Sequence, residues 1–117
     1  RDDVESRGLG DVYKRQHEKF GQIRAVADAG RVWYCGVDVS RGLEFKQYKI
    51  AVRAHTFADE CKLFVLPDKH NYPQETKCIK EACVYRLILY SSRKSLQQYE
   101  RWFTHTVVKT MKGFEAQ

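Results

Sequence analysis

The chain has 117 residues, of which 43% are hydrophobic and 31% are charged, and its formal net charge is +6. No apolar run approaches the roughly 18 residues of a membrane span, so the sequence predicts no membrane-spanning segment. The length fits one small domain, and the basic excess favours a polyanionic partner without identifying one.

The first 16 residues carry four basic and four acidic side chains and show no hydrophobic periodicity. They lack the apolar core of a signal peptide. Back-translation of residues 6–16 (SRGLGDVYKRQ) gives a DNA sequence that resembles a transposase-based sequencing adapter, and residues 1 and 2 resemble the end of the primer that precedes it. We therefore predict that residues 1–16 are an adapter-derived, non-native tail on a metagenomic sequence, and that residues 17–117 are the natural domain. A natural disordered tail is the alternative.

Two β-hairpins are predicted from stretches of β-forming residues on either side of turn signals. Residues 20–27 and 31–35 flank the turn DAG and predict the first hairpin. Residues 61–66 and 75–79 flank the loop PDKHNYP and predict the second.

Four helices are predicted, two between the hairpins and two after them. Residues 38–44 and 46–55 predict two short helices in a helix-turn-helix-like arrangement, and residues 81–91 predict a buried helix. The last helix is predicted to begin with a capping box at Ser95 and to end at Gly113. Its core face carries Leu96, Tyr99, Phe103, Val107 and Met111. The predicted class is therefore α+β, in one small domain.

The Cys, His and carboxylate residues do not show the pattern of a metal or catalytic site. No two cysteines have the C-x-x-C spacing, and no histidine pairs with a convincing nucleophile. Cys35 and Cys83 lie inside apolar runs, so we predict reduced, buried thiols. Asp38 is predicted to cap the first short helix, and Glu81 to lie in a first helical turn. We predict no metal, no cofactor and no enzymatic activity; a small nuclease is the weakest hypothesis.

Three blocks in a fixed order resemble the N-terminal (Bro-N) domain of the BRO family of phage and large DNA-virus proteins. They are VWYCGVDVSRGL at 32–43, KEACVYRLILYSSRK at 80–94 and QQYERWFTHTVVKTM at 97–111. The matching positions are Trp33, Asp38, Val39, Leu43, Glu81, Tyr85, Leu87, Ile88, Ser92, Arg93, Lys94, Trp102 and Val107. The sequence departs from the family pattern at Cys83, where a Gly is usual, at Lys109, where a Pro is usual, and at residues 44–47.

The resemblance implies a DNA-binding transcriptional regulator of antirepressor type, which acts in the cytoplasm of a bacterial host. Lys46, Lys49 and Arg53 are candidate phosphate contacts, and Gln47 is a candidate for an adenine edge. Arg93 and Lys94 fall at a helix–helix junction and are a candidate phosphate clamp.

Two alternatives to this interpretation remain open. In the first, the domain is a protein-interaction module that binds a repressor protein and not double-stranded DNA. In the second, the basic side chains only keep the surface hydrated and bind no partner. Trp33, Trp102, Tyr85 and Tyr99 are predicted to pack in the core and not to stack on bases.

Overall fold

The computed structural model describes residues 11–114 as a five-stranded antiparallel sheet with helices packed against it. The elements in chain order are β1 (Asp11–His17), β2 (Gly21–Asp28), β3 (Arg31–Cys35), α1 (Gly36–Gly42), α2 (Tyr48–Ala54), β4 (Cys61–Pro67), β5 (Pro73–Ile79), α3 (Glu81–Tyr90) and α4 (Leu96–Trp102). A 3₁₀ turn (Ala58–Glu60) precedes β4. After α4 the helix continues through a π-helical segment (Phe103–Val108) and a last α-helical turn (Lys109–Met111). The predicted α+β class is confirmed.

The strand order β1-β2-β3-β5-β4 joins both predicted hairpins in one sheet. The junction consists of two residue pairs, Tyr34 with Ile79 and Cys35 with Cys78. Each hairpin is local in sequence and was therefore predictable. The pairing of β3 with β5 crosses two helices and has no sequence signal of its own.

Alternate residues of the strands enter two different apolar clusters. Val32 and Tyr34 of β3 face the larger cluster, which the helices cover. Trp33 and Cys35 face a smaller cluster that also contains Phe64 of β4. This smaller cluster takes its residues from both the β1–β3 meander and the β4–β5 hairpin. The ion pair from Lys62 Nζ to Asp28 Oδ2, at 2.7 Å, links the two across it.

Several helix details differ from the predictions. Asp38 is not a cap: it lies within the first turn of α1, and the N-cap residue is Cys35. Ser95 is the N-cap residue of α4, but its side chain makes no capping bond, so the predicted capping box is wrong. The Ser95 Oγ instead accepts a hydrogen bond from Arg93 Nε at 2.9 Å. The helix α3 is buried on one side only, because Leu89 and Tyr90 are exposed.

The predicted core face of the C-terminal helix is confirmed. Tyr99, Phe103, Val107 and Met111 are buried, and Leu96 packs half-buried against them. Trp33 is also buried, as predicted. All four thiols are free, and those of Cys35 and Cys83 are buried, in agreement with the sequence prediction.

Part of the predicted non-native tail lies in the sheet. Residues 11–16 belong to β1, which pairs with β2 along the edge of the sheet. Residues 1–10 lie outside the described part of the chain. The adapter origin of residues 1–16 therefore stays a prediction, and an edge strand is the element whose removal disturbs a sheet least.

We expect a chain of residues 17–117 to keep strands β2 to β5 and to unfold cooperatively in urea, as measured by circular dichroism. The pairing of β2 with β3 does not use β1. A chain that begins at residue 29 is the control, and it should lose its fold because Ile23 and Ala25 of β2 leave the core. Loss of cooperative unfolding on removal of residues 1–16 alone would contradict the prediction that they are foreign.

Candidate nucleic-acid interface

The four predicted contacts of the α2 region lie at its start and along one side. Lys49 and Arg53 are exposed and four residues apart on α2, which places them on one helical face. Lys46 and Gln47 are exposed but precede the helix, which begins at Tyr48. The prediction of a helix over 46–55 was therefore too long, and the three cations do not share one helical face.

Two further cations lie close to this group and were not predicted. The Arg41 guanidinium lies 4.8 Å over the Tyr48 ring. It lowers the pKa of Tyr48 by hydrogen bonding to the phenol, and Lys49 and Lys69 lower it further by their charge. Arg41 belongs to α1 and Lys69 to the β4–β5 loop, so no helical spacing in the sequence connects them with α2. We call Arg41, Lys46, Lys49, Arg53 and Lys69 the basic surface.

The junction between α3 and α4 is fastened to the connection between α1 and α2. Ser91 Oγ donates a hydrogen bond to the Leu43 carbonyl at 2.8 Å and accepts one from the Arg93 amide at 3.0 Å. Arg93 Nη1 also donates to the Gly42 carbonyl at 3.4 Å. The structure therefore brings the predicted Arg93–Lys94 clamp next to the segment that leads into Lys46 and α2.

The two members of the predicted clamp have different surroundings. The Arg93 side chain is only 8% exposed, and Nη1 lies 2.6 Å from Glu44 Oε2. Its guanidinium also lies 4.9 Å from the centroid of the Phe20 ring. Lys94 is exposed. The Lys94 ammonium is therefore open to solvent, whereas the Arg93 guanidinium is already paired with a carboxylate.

Asp38 anchors α1, and with it the basic surface, to the sheet. Asp38 Oδ2 accepts hydrogen bonds from Arg24 Nε at 2.8 Å and from the Arg24 amide at 3.0 Å. Arg24 Nη1 donates to the Pro67 carbonyl at 3.0 Å. The carboxylate is fully buried, so these hydrogen bonds replace all of its water.

Two polar side chains then hold α2 in place. Ser40 Oγ donates to the Gly36 carbonyl at 2.8 Å and contacts the Tyr48 carbonyl at 3.1 Å, which connects α1 with the first residue of α2. At the other end, Arg86 Nη1 donates to the His55 carbonyl at 2.9 Å.

Arg86 is itself held by a two-point ion pair with Glu60. Nη1 lies 2.7 Å from Glu60 Oε1, and Nη2 lies 3.0 Å from Oε2. These hydrogen bonds, followed by one from the Phe57 amide, lower the pKa of Glu60 to about 2. The sequence marks Arg86 as the polar residue of an apolar helix, but its partner is 26 positions away.

The described residues contain neither a metal site nor a membrane span. Within residues 11–114, His, Cys, Asp and Glu side chains form no group of three or more that suits a metal ion. None of the helices in that range is long and apolar enough to cross a bilayer.

We expect Asp38→Ala to lower the free energy of unfolding by about 3–5 kcal/mol, because removing one partner of a buried ion pair leaves the other uncompensated. Urea denaturation measures the change. Asp59→Ala is the control, since Asp59 is exposed, and its effect should stay within about 0.5 kcal/mol. Equal effects of both substitutions would contradict the anchoring role of Asp38.

The Glu60–Arg86 pair makes the free energy of unfolding depend on pH, and the direction of this dependence follows from the pKa of Glu60. The pKa of Glu60 in the folded protein is about 2, below its ordinary value of 4.5, so ionised Glu60 favours folding. Its contribution is complete above pH 4.5 and is lost as the pH falls towards 2. In unfolding experiments across this window, Glu60→Gln should show a shallower pH-dependence than the unsubstituted chain, and Glu75→Gln should not. Identical profiles for Glu60→Gln and the unsubstituted chain would refute the assignment.

Comparison with known proteins identifies one family. The family model described as BRO family, N-terminal domain, matches residues 22–109. No curated protein and no solved structure matches the chain. The matched range begins after β1 and contains α1, α2, α3 and α4, which carry most of the basic surface and the α3–α4 junction. The chain therefore belongs to the BRO family, of which it carries the N-terminal domain.

Proposed function

We propose that this domain binds double-stranded DNA through the basic surface and Lys94, and that it regulates transcription as a phage, prophage or viral protein of antirepressor type. The BRO family is associated with regulators of this kind. The observation that carries the proposal is the attachment of the α3–α4 junction to the α1–α2 connection, which brings two groups of predicted contacts together. The site of action is the cytoplasm of the bacterial host.

The arrangement suits phosphate contacts with a small amount of base recognition. Lys46, Lys49 and Arg53 are exposed cations that neutralise phosphates and release counterions. Gln47 is exposed at the N-cap of α2. In helix-turn-helix proteins the N-terminal residues of the recognition helix contact base edges, and glutamine binds adenine through two hydrogen bonds.

The helix α2 has seven residues, which gives it about two turns. It therefore presents few side chains to a groove, and we infer that affinity comes mainly from the phosphate backbone. Lys94 supplies a contact from a second element, which fixes the orientation of the domain on the duplex. Arg93 is the second residue of the proposed clamp, and its guanidinium is paired with the Glu44 carboxylate in the free protein.

Salt titration of DNA binding tests the proposal. For the full chain, log affinity should fall linearly with log salt, and Lys46→Ala/Lys49→Ala/Arg53→Ala should reduce the slope by about two to three units, since each phosphate contact contributes about 0.9. The matched control is Arg101→Ala/Lys109→Ala/Lys112→Ala, which removes the same charge from exposed positions of the C-terminal helix. Equal slopes for the two triple variants would contradict the proposed surface.

A repressor-protein partner is the second candidate, and one observation favours it. Leu89 is 80% exposed and Tyr90 is 63% exposed, side by side at the end of α3. Tyr90 stacks on His55, with ring centroids 4.4 Å apart, so this apolar patch adjoins the end of α2. Exposed apolar patches mark protein contacts. If all variants in the salt titration bind DNA equally weakly, this candidate becomes the leading one.

A further inference from the structure

Glu44 has a backbone conformation that an L-residue adopts at a cost. It follows α1 with φ at +64°, in the left-handed region. Its amide donates to the Arg41 carbonyl at 3.0 Å, which closes the turn after the helix. This turn directs the carboxylate to Arg93, where Oε2 lies 2.6 Å from Nη1.

The two partners of this ion pair differ sharply in exposure. The Glu44 side chain is 63% exposed, whereas that of Arg93 is 8% exposed. The carboxylate therefore lies on the solvent side of the guanidinium. The Arg93 side chain also contacts Ser95, the Gly42 carbonyl and the Phe20 ring, all of them within the protein.

The Arg93 side chain lines a cleft of about 240 Å³. Lys19 and Arg41 also line it, together with Glu44 and Asp38. Asp38 is already matched by three hydrogen bonds from Arg24. Arg41 Nη1 lies 4.0 Å from Asp38 Oδ1, so Glu44 is the acid that offsets the charge of Arg93.

A buried hydroxyl without a hydrogen-bond partner lies beside this cleft. The Tyr99 Oη is buried and unpaired. A Cβ placed on Gly42, a residue of the cleft wall, would lie 3.5 Å from it. Burial raises the pKa of Tyr99, and the charges of Asp38 and Arg93 act on it in opposite directions. The phenol therefore keeps its proton and has a hydrogen bond to donate.

We propose that the Arg93 cleft is a phosphate-binding site, and that the Glu44 carboxylate occupies it in the free protein as an internal competitor. The inference rests on the proposed function, in which a backbone phosphate of the DNA displaces Glu44. An arginine guanidinium binds carboxylate and phosphate in the same planar geometry. Because the acid is mostly exposed, its ion pair is weak and can be exchanged. The displaced Glu44 is also free to leave its left-handed backbone conformation.

Glu44→Gln tests the inference in the full chain, since it removes the charge and keeps the shape of the side chain. We expect duplex DNA to bind about threefold to tenfold more tightly at low salt, because the phosphate no longer has to displace a carboxylate from Arg93. Glu100→Gln is the matched control, because it makes the same charge change at an exposed position of α4. It should leave the affinity for DNA nearly unchanged.

A second measurement examines the cleft without DNA. Inorganic phosphate is titrated into the isotope-labelled chain, and the Arg93 Nε–H and Gly42 amide resonances are followed by NMR. Glu44→Gln should respond at about tenfold lower phosphate concentration than the unsubstituted chain, because the internal competitor is gone.

The outcomes separate this inference from the proposed function. If the unsubstituted chain binds DNA but Glu44→Gln has the affinity of Glu100→Gln, the inference is overturned and the proposed function stands. If the unsubstituted chain does not bind DNA, the proposed function fails, and the phosphate titration alone decides. Equal phosphate responses of Glu44→Gln and the unsubstituted chain would then overturn the inference.

Discussion

The buried Asp38 carboxylate is the group on which the arrangement of the domain depends. It belongs to α1, yet all its short hydrogen bonds come from Arg24 of β2. Arg24 in turn binds the end of β4 through the Pro67 carbonyl. One residue pair thus fixes a helix, the meander and the second hairpin relative to each other. Its desolvation makes it costly to break, although apolar packing supplies most of the stability.

The helix α2 is too short to be stable alone. The position of the basic surface therefore depends on the packing of α2 against α1. The close approach of the two helices leaves little room for a side chain at Gly36: a Cβ there would lie 3.0 Å from Val52 Cγ1 and 3.3 Å from the Lys77 carbonyl oxygen. A Cβ on Gly42 would lie 2.9 Å from Tyr99 Cε2. These two glycines belong to the same sequence block as Asp38. The block therefore sets the packing of α1 on its neighbours, while the cations of the connection and of α2 stay exposed.

The sequence predicted the local elements well and the long-range polar contacts poorly. Hairpins and the core face of the C-terminal helix follow from period-two and helical patterns, which packing against one core enforces. The errors concern residues with two competing uses. Asp38 and Ser95 have the chemistry of helix caps, but each is bound by an arginine, Arg24 or Arg93. An arginine donates up to five hydrogen bonds and outcompetes a backbone amide for an oxygen, and a sequence does not show which arginine is near.

The basic surface was also only partly predictable from the sequence. The positions of Lys46, Lys49 and Lys94 follow from the sequence, because long cationic side chains stay at the surface. The inclusion of Arg41 and Lys69 does not, since they come from α1 and from the β4–β5 loop. The sequence predicted Arg93 and Lys94 as one clamp, but only the tertiary structure shows that the Arg93 side chain is nearly buried and that Lys94 is exposed.

Among the described residues, Arg24, Arg86 and Arg93 each have an ion pair shorter than 3 Å, and the three pairs differ in the exposure of the acid. Arg24 lies 2.8 Å from Asp38, Arg86 lies 2.7 Å from Glu60, and Arg93 lies 2.6 Å from Glu44. The three carboxylates are 0%, 17% and 63% exposed, in that order. The distances are nearly the same, so the exposure decides how easily each acid is replaced. A buried carboxylate cannot leave without stranding a charge, whereas an exposed one exchanges a guanidinium for water at little cost. The first two pairs therefore build the domain, and Glu44–Arg93 is the pair that a phosphate can open.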